Sequence, residues 1–266
     1  MISARNPLWR FPGLAWITAL FFAFLYIPIF VLVALSFNSN DVATIWSGFS
    51  TDWYARVLDN PNILRSAKNS LILASGATFI STLLATAAAV GMAGRRFPGQ
   101  NIFNGLLGLP LLVPEIVTAV ASLLFFLAIG MELSLWTVLI AHVVFCIPFA
   151  YLPIRARLEG MNPSLLEASQ DLYATPLRGF LRVTLPLLVP GIVSGAMLAF
   201  IISLDDFVIT FFVAGAGATT LPVYIYSMIR TGITPEVNAI STLLLGLSVV
   251  VVVASYLIQQ RGRTDG

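Results

Sequence analysis

Three carboxylates lie within strongly apolar stretches of this sequence: Glu115, Asp205 and Asp206. A charged side chain in hydrocarbon is costly, so each of them indicates a functional role. Glu115 stands close to Pro110 and Pro114, and prolines at these positions predict a break or kink in a helix. Carboxylates can replace the hydration that an amine cation loses, so this set suits a substrate with two or three ammonium groups.

Aromatic side chains could complete such a cation path, because the face of an aromatic ring attracts a cation. The candidates are Phe207, Tyr224 and Tyr226. Two alternatives stay open. Asp205 and Asp206 could instead cap or terminate a helix at the outer surface, and Glu115 could pair with an arginine or a backbone donor of a partner subunit.

His142 and Cys146 are four residues apart in another apolar stretch, which places them on one face of a helix. The pair could bind a metal in principle, but a metal site needs further ligands. The sequence therefore favours packing and an interhelical hydrogen bond, and we expect neither a metal nor a cofactor. A single cysteine also excludes an internal disulfide framework.

The composition indicates a membrane protein. Hydrophobic residues make up 58% of the 266 residues and charged residues only 10%, whereas a soluble domain carries about 25% charged residues. Six apolar runs reach the ~20 residues that a helix needs to cross a bilayer. We therefore predict an all-α polytopic protein with six transmembrane helices, at about 13–37, 69–94, 102–130, 135–154, 187–207 and 237–258. The net charge of +2 gives no reason to expect a nucleic acid partner.

The basic residues are distributed unevenly between the two sides of these spans. One side carries only Arg56, Arg65, Lys68 and Arg230. The other carries Arg5, Arg10, Arg95, Arg96, Arg155, Arg157, Arg178, Arg182, Arg261 and Arg263. The positive-inside rule then places both termini in the cytoplasm. We expect residues 1–68 to form the first span and an outer loop, 69–258 a core of five spans, and 259–266 a cytoplasmic tail.

A polar segment, Asn162–Pro186, interrupts the apolar core on the predicted cytoplasmic side. Asn162 and Thr175 are each followed by a proline, which is the pattern of a helix start. Alternatively, Ser164 and Glu167 form a capping box. Either pattern predicts two short helices with a sharp break between them. The segment is either a docking element for a cytoplasmic partner or an interfacial connection between two spans.

This segment resembles the EAA loop of permease subunits of binding-protein-dependent ABC importers. The family pattern is Glu-Ala-Ala, a glycine four residues after the second alanine, and then Ile-x-Leu-Pro. The resemblance implies an ATPase-coupling loop with contact residues Glu167, Ala168, Ser169, Leu172, Tyr173, Leu185 and Pro186. Tyr173 stands where the family has glycine, so it must adopt another turn or accept about 1 kcal/mol of strain at positive φ.

The resemblance extends beyond the loop. Four further segments are similar to polyamine (spermidine/putrescine) permease subunits: Phe37–Asn40, Leu109–Ile116, Ser203–Pro222 and Gly232–Ala239. The family implies a type I importer permease fold in the bacterial inner membrane. It also implies an ABC ATPase dimer, a second homologous permease subunit and a periplasmic substrate-binding protein. The alternatives are a permease for another small solute and, with less support, a self-sufficient secondary transporter.

The lysine content indicates that the chain is not itself an ATPase. A P-loop needs a lysine within a glycine-rich loop. Lys68 is the only lysine; it lies in the sequence RSAKNS and on the predicted outer side. A serine hydrolase is also disfavoured, because the chain has one histidine and no Gly-x-Ser-x-Gly sequence. ATP hydrolysis is therefore expected in a separate subunit.

Overall fold

The computed structural model describes residues 13–42, 45–94, 98–162, 164–232 and 234–264. Their β structure is limited to one bridge between Asn38 and Phe49, which agrees with the predicted all-α class. The helices are α1 (Leu14–Leu35), α2 (Asp52–Asp59), α3 (Pro61–Met92), α4 (Gln100–Leu112), α5 (Glu115–Ala128), α6 (Leu135–Glu159), α7 (Ser164–Asp171), α8 (Pro176–Gly179), α9 (Leu185–Asp205), α10 (Val208–Val213), α11 (Leu221–Thr231) and α12 (Pro235–Thr264), with a π-helical turn at Phe180–Thr184.

Five helical stretches within the described ranges are long and apolar enough to cross a membrane. They are α1, α3, α6, the continuous run Pro176–Asp205, and α12 over Pro235–Ala254. The predicted third span is instead the pair α4 and α5, which bends by 110° at its break. Counting this pair as one broken span gives the six predicted helices.

The break between α4 and α5 follows from Pro114. Val113, which precedes it, is extended at φ −81° and ψ 131°, as expected for a residue whose α conformation is blocked by a following proline. Pro114 also lacks the N–H that would continue the helix. The predicted break is confirmed, and its consequence is that Glu115 begins a new helix.

Helix ends differ from the predicted spans where polar residues continue a helix. The second span was predicted to begin at residue 69, but α3 begins at Pro61 because its first two turns extend beyond the apolar run. Residues 208–236, predicted as an outer stretch, contain the helices α10 and α11. Hydropathy marks only the lipid-crossing part of a helix, so it could not show these extensions.

The chain folds into two compact units, of which the first contains residues 1–60 and 228–245. Within it, α1 buries none of its residues, so its surface is available to lipid. The loop after α1 is built around the fully buried Asn38, whose Nδ2 donates to the Ile45 carbonyl at 2.7 Å. Trp53 is only 6% exposed and donates from Nε1 to the Asn38 carbonyl at 2.8 Å. The Trp53 ring therefore forms the core of the loop.

The second unit, 61–227 with 246–266, contains the close packing of α3, α6 and α9. α3 presents a buried face of small residues, which includes Ala77, Ser81, Ala85 and Ala89. On α9, a Cβ at Gly195 would lie 2.5 Å from the carbonyl oxygen of Ala150 on α6. Small residues let helix backbones approach closely in a membrane, and this contact fixes α6 against α9.

The predicted second helix of the 162–186 segment is not a separate element. α8 passes through the π-helical turn into α9 without a break. At the end of this turn the Leu185 amide donates to the Phe180 carbonyl, five residues earlier. Pro186 follows directly; it has no amide to donate, and its ring would clash with the carbonyl four residues before it in a regular α-helix. The wider turn accommodates this proline.

Candidate coupling loop and substrate path

The first helix of the candidate coupling loop, residues 162–186, is capped by Asn162. Its Oδ1 accepts hydrogen bonds from the backbone amide and the hydroxyl of Ser164. This arrangement favours the Asn162 cap over the capping box, because the Ser164 hydroxyl is already engaged. Pro163 lies outside the described residues.

The same helix ends in a Schellman turn with Tyr173 in the left-handed position. Its φ is +56°, and no other non-glycine residue in the described ranges has a positive φ. The Tyr173 amide donates to the Gln170 carbonyl at 2.9 Å, and the Ala174 amide to the Ser169 carbonyl at 3.0 Å. These are the two hydrogen bonds of the motif. The family turn is therefore retained, and the tyrosine accepts the strain.

We predict that Tyr173→Gly stabilises this turn by about 1 kcal/mol, because glycine adopts positive φ without a Cβ penalty. The tyrosine ring is 95% exposed, so its removal sacrifices little packing. Slower hydrogen exchange of the Ala174 amide is the expected result. Tyr173→Ala is the control, since it removes the ring but keeps the Cβ. Faster exchange in the glycine variant would contradict the strain argument.

The exposed surface around Glu167 combines this acidic residue with apolar side chains, while Arg178 and Arg182 are exposed further along the loop. Glu167 and Ala168 are exposed, Leu172 is 82% exposed, and Tyr173 projects fully into solvent. Ser169 is buried instead, so it does not share the exposed surface with Leu172. The outward surface therefore presents Glu167 beside an apolar tip.

The loop is fastened to the spans on both sides. α7 packs against α8 and the π-helical turn, which lead directly into α9 at Leu185 and the exposed Pro186. On the other side, Arg157 Nε near the end of α6 donates to the Leu187 carbonyl at 2.9 Å. The loop is thus attached to α6 and α9 together.

The two helix breaks of the second unit meet at a pair of carboxyl groups. Glu115 begins α5, while Asp206 is the extended residue between α9 and α10. α5 packs against α10, and the carboxyl groups of Glu115 and Asp206 are close enough to interact electrostatically. Glu115 is half-buried and Asp206 is 6% exposed, whereas Asp205 remains exposed. The structure therefore pairs two of the three predicted carboxylates.

The Asp206 carboxylate is held by a network of buried side chains. Its Oδ1 accepts from the Thr210 amide and the Thr210 hydroxyl, each at 2.9 Å, and lies 3.1 Å from His142 Nε2. The opposite ring nitrogen of His142 lies 2.8 Å from Ser203 Oγ. Asp206 caps α10 through the Ile209 and Thr210 amides, but it is buried, whereas the alternative placed such a cap at a surface.

The interhelical role predicted for His142 is confirmed by these contacts, which join α6 to α9 and α10. Cys146, one turn further on, donates to the Ala199 carbonyl at 3.6 Å. Among the described residues, no group of three or more His, Cys, Asp or Glu side chains could hold a metal ion. The pair therefore packs helices together.

Aromatic rings cluster beside Asp206. The Phe207 ring centroid lies 4.8 Å from that of Tyr226 and 5.3 Å from that of Phe211. Tyr224 is half-buried and takes no part in these two ring contacts. Sequence reasoning missed Ser203, Thr210 and Phe211. These residues are near Asp206 and Phe207 in the sequence, but their grouping into one site becomes evident only once the helix α10 is known.

The comparisons with known proteins identify the family. Residues 81–262 match the family model described as "binding-protein-dependent transport system inner membrane component", and the chain belongs to this family. It is therefore a multi-pass permease component of an importer in the inner membrane.

Two curated relatives are similar over nearly the whole chain. The spermidine/putrescine transport system permease protein PotC of Escherichia coli (strain K12) is 39% identical over 245 residues, 92% of each chain. The putrescine transport system permease protein PotI of the same strain is 40% identical over 259 residues, covering 94% of this chain and 92% of that protein.

Solved structures share the fold. A bacterial ABC transporter involved in the import of the acidic polysaccharide alginate matches with a TM-score of 0.70 at 16% identity, covering 98% of this chain and 99% of that chain. The MetNI methionine ABC transporter, in inward-facing conformations, matches with a TM-score of 0.63 at 21% identity, covering 75% of this chain and 95% of that chain. At these identities the likeness concerns the fold alone.

Proposed function

We propose that this chain is the permease subunit of an ATP-driven importer that carries polyamines of the putrescine and spermidine class across the inner membrane. The observation that carries the proposal is the contact between Glu115 and Asp206 at two helix breaks. The named transport activities of the two relatives support the same substrate class. A permease for another small solute is the alternative.

The paired carboxyl groups suit an organic cation for an electrostatic reason. Two adjacent carboxylates repel each other, and a shared proton or a cation relieves that repulsion. An ammonium group entering between Glu115 and Asp206 supplies the positive charge and donates to both. The rings of Phe207, Phe211 and Tyr226 then offer cation-attracting faces and apolar contact for the methylene chain.

The partners and the orientation belong to the same proposal. Both termini and the 162–186 loop lie in the cytoplasm, where an ABC ATPase dimer binds the exposed surface around Glu167. A second homologous permease subunit completes the path within the 69–258 core, and a periplasmic binding protein delivers the substrate. ATP hydrolysis belongs to the ATPase subunits. Binding of ATP moves the loop as a rigid element and shifts the spans between outward- and inward-facing states.

Glu115→Gln provides the test of the substrate path. Uptake of labelled putrescine should fall about 10-fold or more, the effect of losing a hydrogen bond to a charged group, while basal ATPase activity persists. Glu132→Gln, at an exposed carboxylate between α5 and α6, is the matched control and should transport normally. Unchanged uptake in Glu115→Gln, or uptake of a different solute class by the unmodified transporter, would overturn the proposal.

A further inference from the structure

His142 is the only ionisable group on α6 that contacts Asp206 through a hydrogen-bonding atom within the described residues. It is 1% exposed, so both ring nitrogens must find partners inside the protein. The partners are Ser203 on α9 and, across the helix break, Thr210 and Asp206. The His142 side chain on α6 therefore contacts residues on both sides of the break between α9 and α10.

The three contacts are consistent with a single placement of the protons on His142 and Thr210. The Nε2–H group donates toward Thr210 Oγ1 at 2.9 Å and Asp206 Oδ1 at 3.1 Å. The Thr210 hydroxyl donates to the same Oδ1, and Nδ1 makes its hydrogen bond with the Ser203 hydroxyl. The ionised Asp206 carboxylate can only accept, so it requires the proton at Nε2, and the Ser203 hydroxyl, which can donate or accept, satisfies the opposite ring nitrogen.

The two oxygens of Asp206 differ in their remaining capacity. Oδ1 already has three donors, from His142 and twice from Thr210, which is more than its two lone pairs accommodate well. Oδ2 has the Ile209 amide at 3.4 Å, a long contact. The capacity of Asp206 to bind a cation therefore lies at Oδ2, together with the carboxyl group of Glu115.

We infer that His142 is a positioning residue for the cation path: it donates to Oδ1 of Asp206, so that Oδ2, which the Ile209 amide reaches only at 3.4 Å, can accept from an ammonium group that Glu115 also binds. The inference rests on the proposed function, since it assigns the residue that prepares the Glu115–Asp206 pair. His142 itself does not touch the substrate. Without His142, Asp206 keeps the two donors of Thr210 on α10 but loses its link to α6, so its pairing with Glu115 loosens.

Two amide substitutions separate the contacts of the two ring nitrogens. The amide of His142→Asn reaches the position of Nδ1 and keeps Ser203, but it is too short to reach Asp206. The longer amide of His142→Gln reaches the position of Nε2 and keeps Asp206. In the complete transporter, labelled putrescine uptake per molecule should fall about 10-fold or more with asparagine. It should stay within about threefold of the unmodified rate with glutamine.

Thr137→Val is the structural control. Thr137 is also a buried residue of α6, and its hydroxyl donates to the Val213 carbonyl at the end of α10 at 2.8 Å. If His142 only held α6 to α10, its variants would behave like Thr137→Val. In the Asp206→Asn background, His142→Asn should have almost no further effect on uptake, whereas Thr137→Val should retain its own effect, because only residues acting through one another are non-additive.

The results distinguish failure of the positioning role of His142 from failure of the proposed substrate path. If Asp206→Asn lowers uptake but His142→Asn does not, the substrate path stands and the positioning role is wrong. If Asp206→Asn leaves uptake unchanged, the proposed path itself fails, and the role of His142 fails with it. Equal losses with asparagine and glutamine, additivity with Asp206→Asn, or failure of both His142 variants to assemble would each make His142 a purely structural residue.

Discussion

Replacing Glu167 by lysine is expected to abolish uptake while the protein still inserts and accumulates in the membrane. Glu167 is exposed in the first turn of α7, beside the apolar tip formed by Leu172 and Tyr173. Its substitution therefore removes no buried contact of this chain. The expected loss, about 100-fold or more, requires that the residue acts on a partner rather than on the fold.

The expected loss of uptake follows because Glu167→Lys reverses a charge within the surface proposed to dock on the ATPase. A like charge placed at an interface costs several kcal/mol, which is enough to separate the loop from the ATPase. Within α7 itself, a lysine in the first turn opposes the helix dipole by only about 0.3–1 kcal/mol. The interface effect therefore dominates, and the helix should survive the substitution.

Three measurements separate loss of docking from loss of folding. Uptake and copurification of the ATPase should both be lost, while the abundance of the chain in the membrane should not change. Glu132→Lys reverses an exposed carboxylate outside the loop and should transport normally. Glu167→Gln should fall between the two, because it removes the attraction without adding repulsion. Normal uptake by Glu167→Lys would falsify the coupling role of the loop.

Much of the fold could be predicted from local sequence rules. Continuous apolar runs gave the spans, because a helix is the simplest structure that satisfies its backbone hydrogen bonds in lipid. Pro114 predicted the break before Glu115, because the effect of proline on a helix is local. The ends of the elements were harder to predict. α3 continues into polar residues, and α10 is too short to have a periodic pattern.

The candidate site, like the helix ends, could be predicted only in part. Glu115 and Asp206 could be chosen from sequence because an unpaired charge in an apolar segment is conspicuous. The sequence did not indicate that their side chains meet, since that depends on how α5 packs against α10. The positive φ of Tyr173 illustrates a different case: a position in a motif can impose a conformation that the residue itself disfavours.

The contact between α6 and α9 lies between both candidate sites. These helices flank the coupling loop at one end, where Arg157 donates to the Leu187 carbonyl. Toward the other end they carry His142 and the chain leading to Asp206. Under the proposed coupling, movement of the loop reaches the carboxyl pair through a rigid contact between these two helices. Gly195 is a residue at which their backbones approach closely.

Gly195→Leu is accordingly expected to prevent assembly of a functional protein. Even a Cβ at this position would lie 2.5 Å from the Ala150 carbonyl oxygen and 3.2 Å from its carbon. These are backbone atoms of α6, so no side-chain rotation relieves the clash and the helices must separate. Gly195→Ala should cost about 1–3 kcal/mol, the usual effect of overpacking, and the larger leucine should abolish uptake.

Gly91 provides the matched control. It lies in the interior of α3, and a Cβ there has no other atom within 4 Å. Gly91→Ala should therefore be neutral, or stabilise by about 0.5–1 kcal/mol through helix propensity, and Gly91→Leu should be tolerated. Thermal unfolding in detergent gives the stability order, and uptake gives the function. If Gly195→Ala were as stable as Gly91→Ala, the close approach of α6 and α9 would be wrong, and with it the rigid link between the coupling loop and the carboxyl pair.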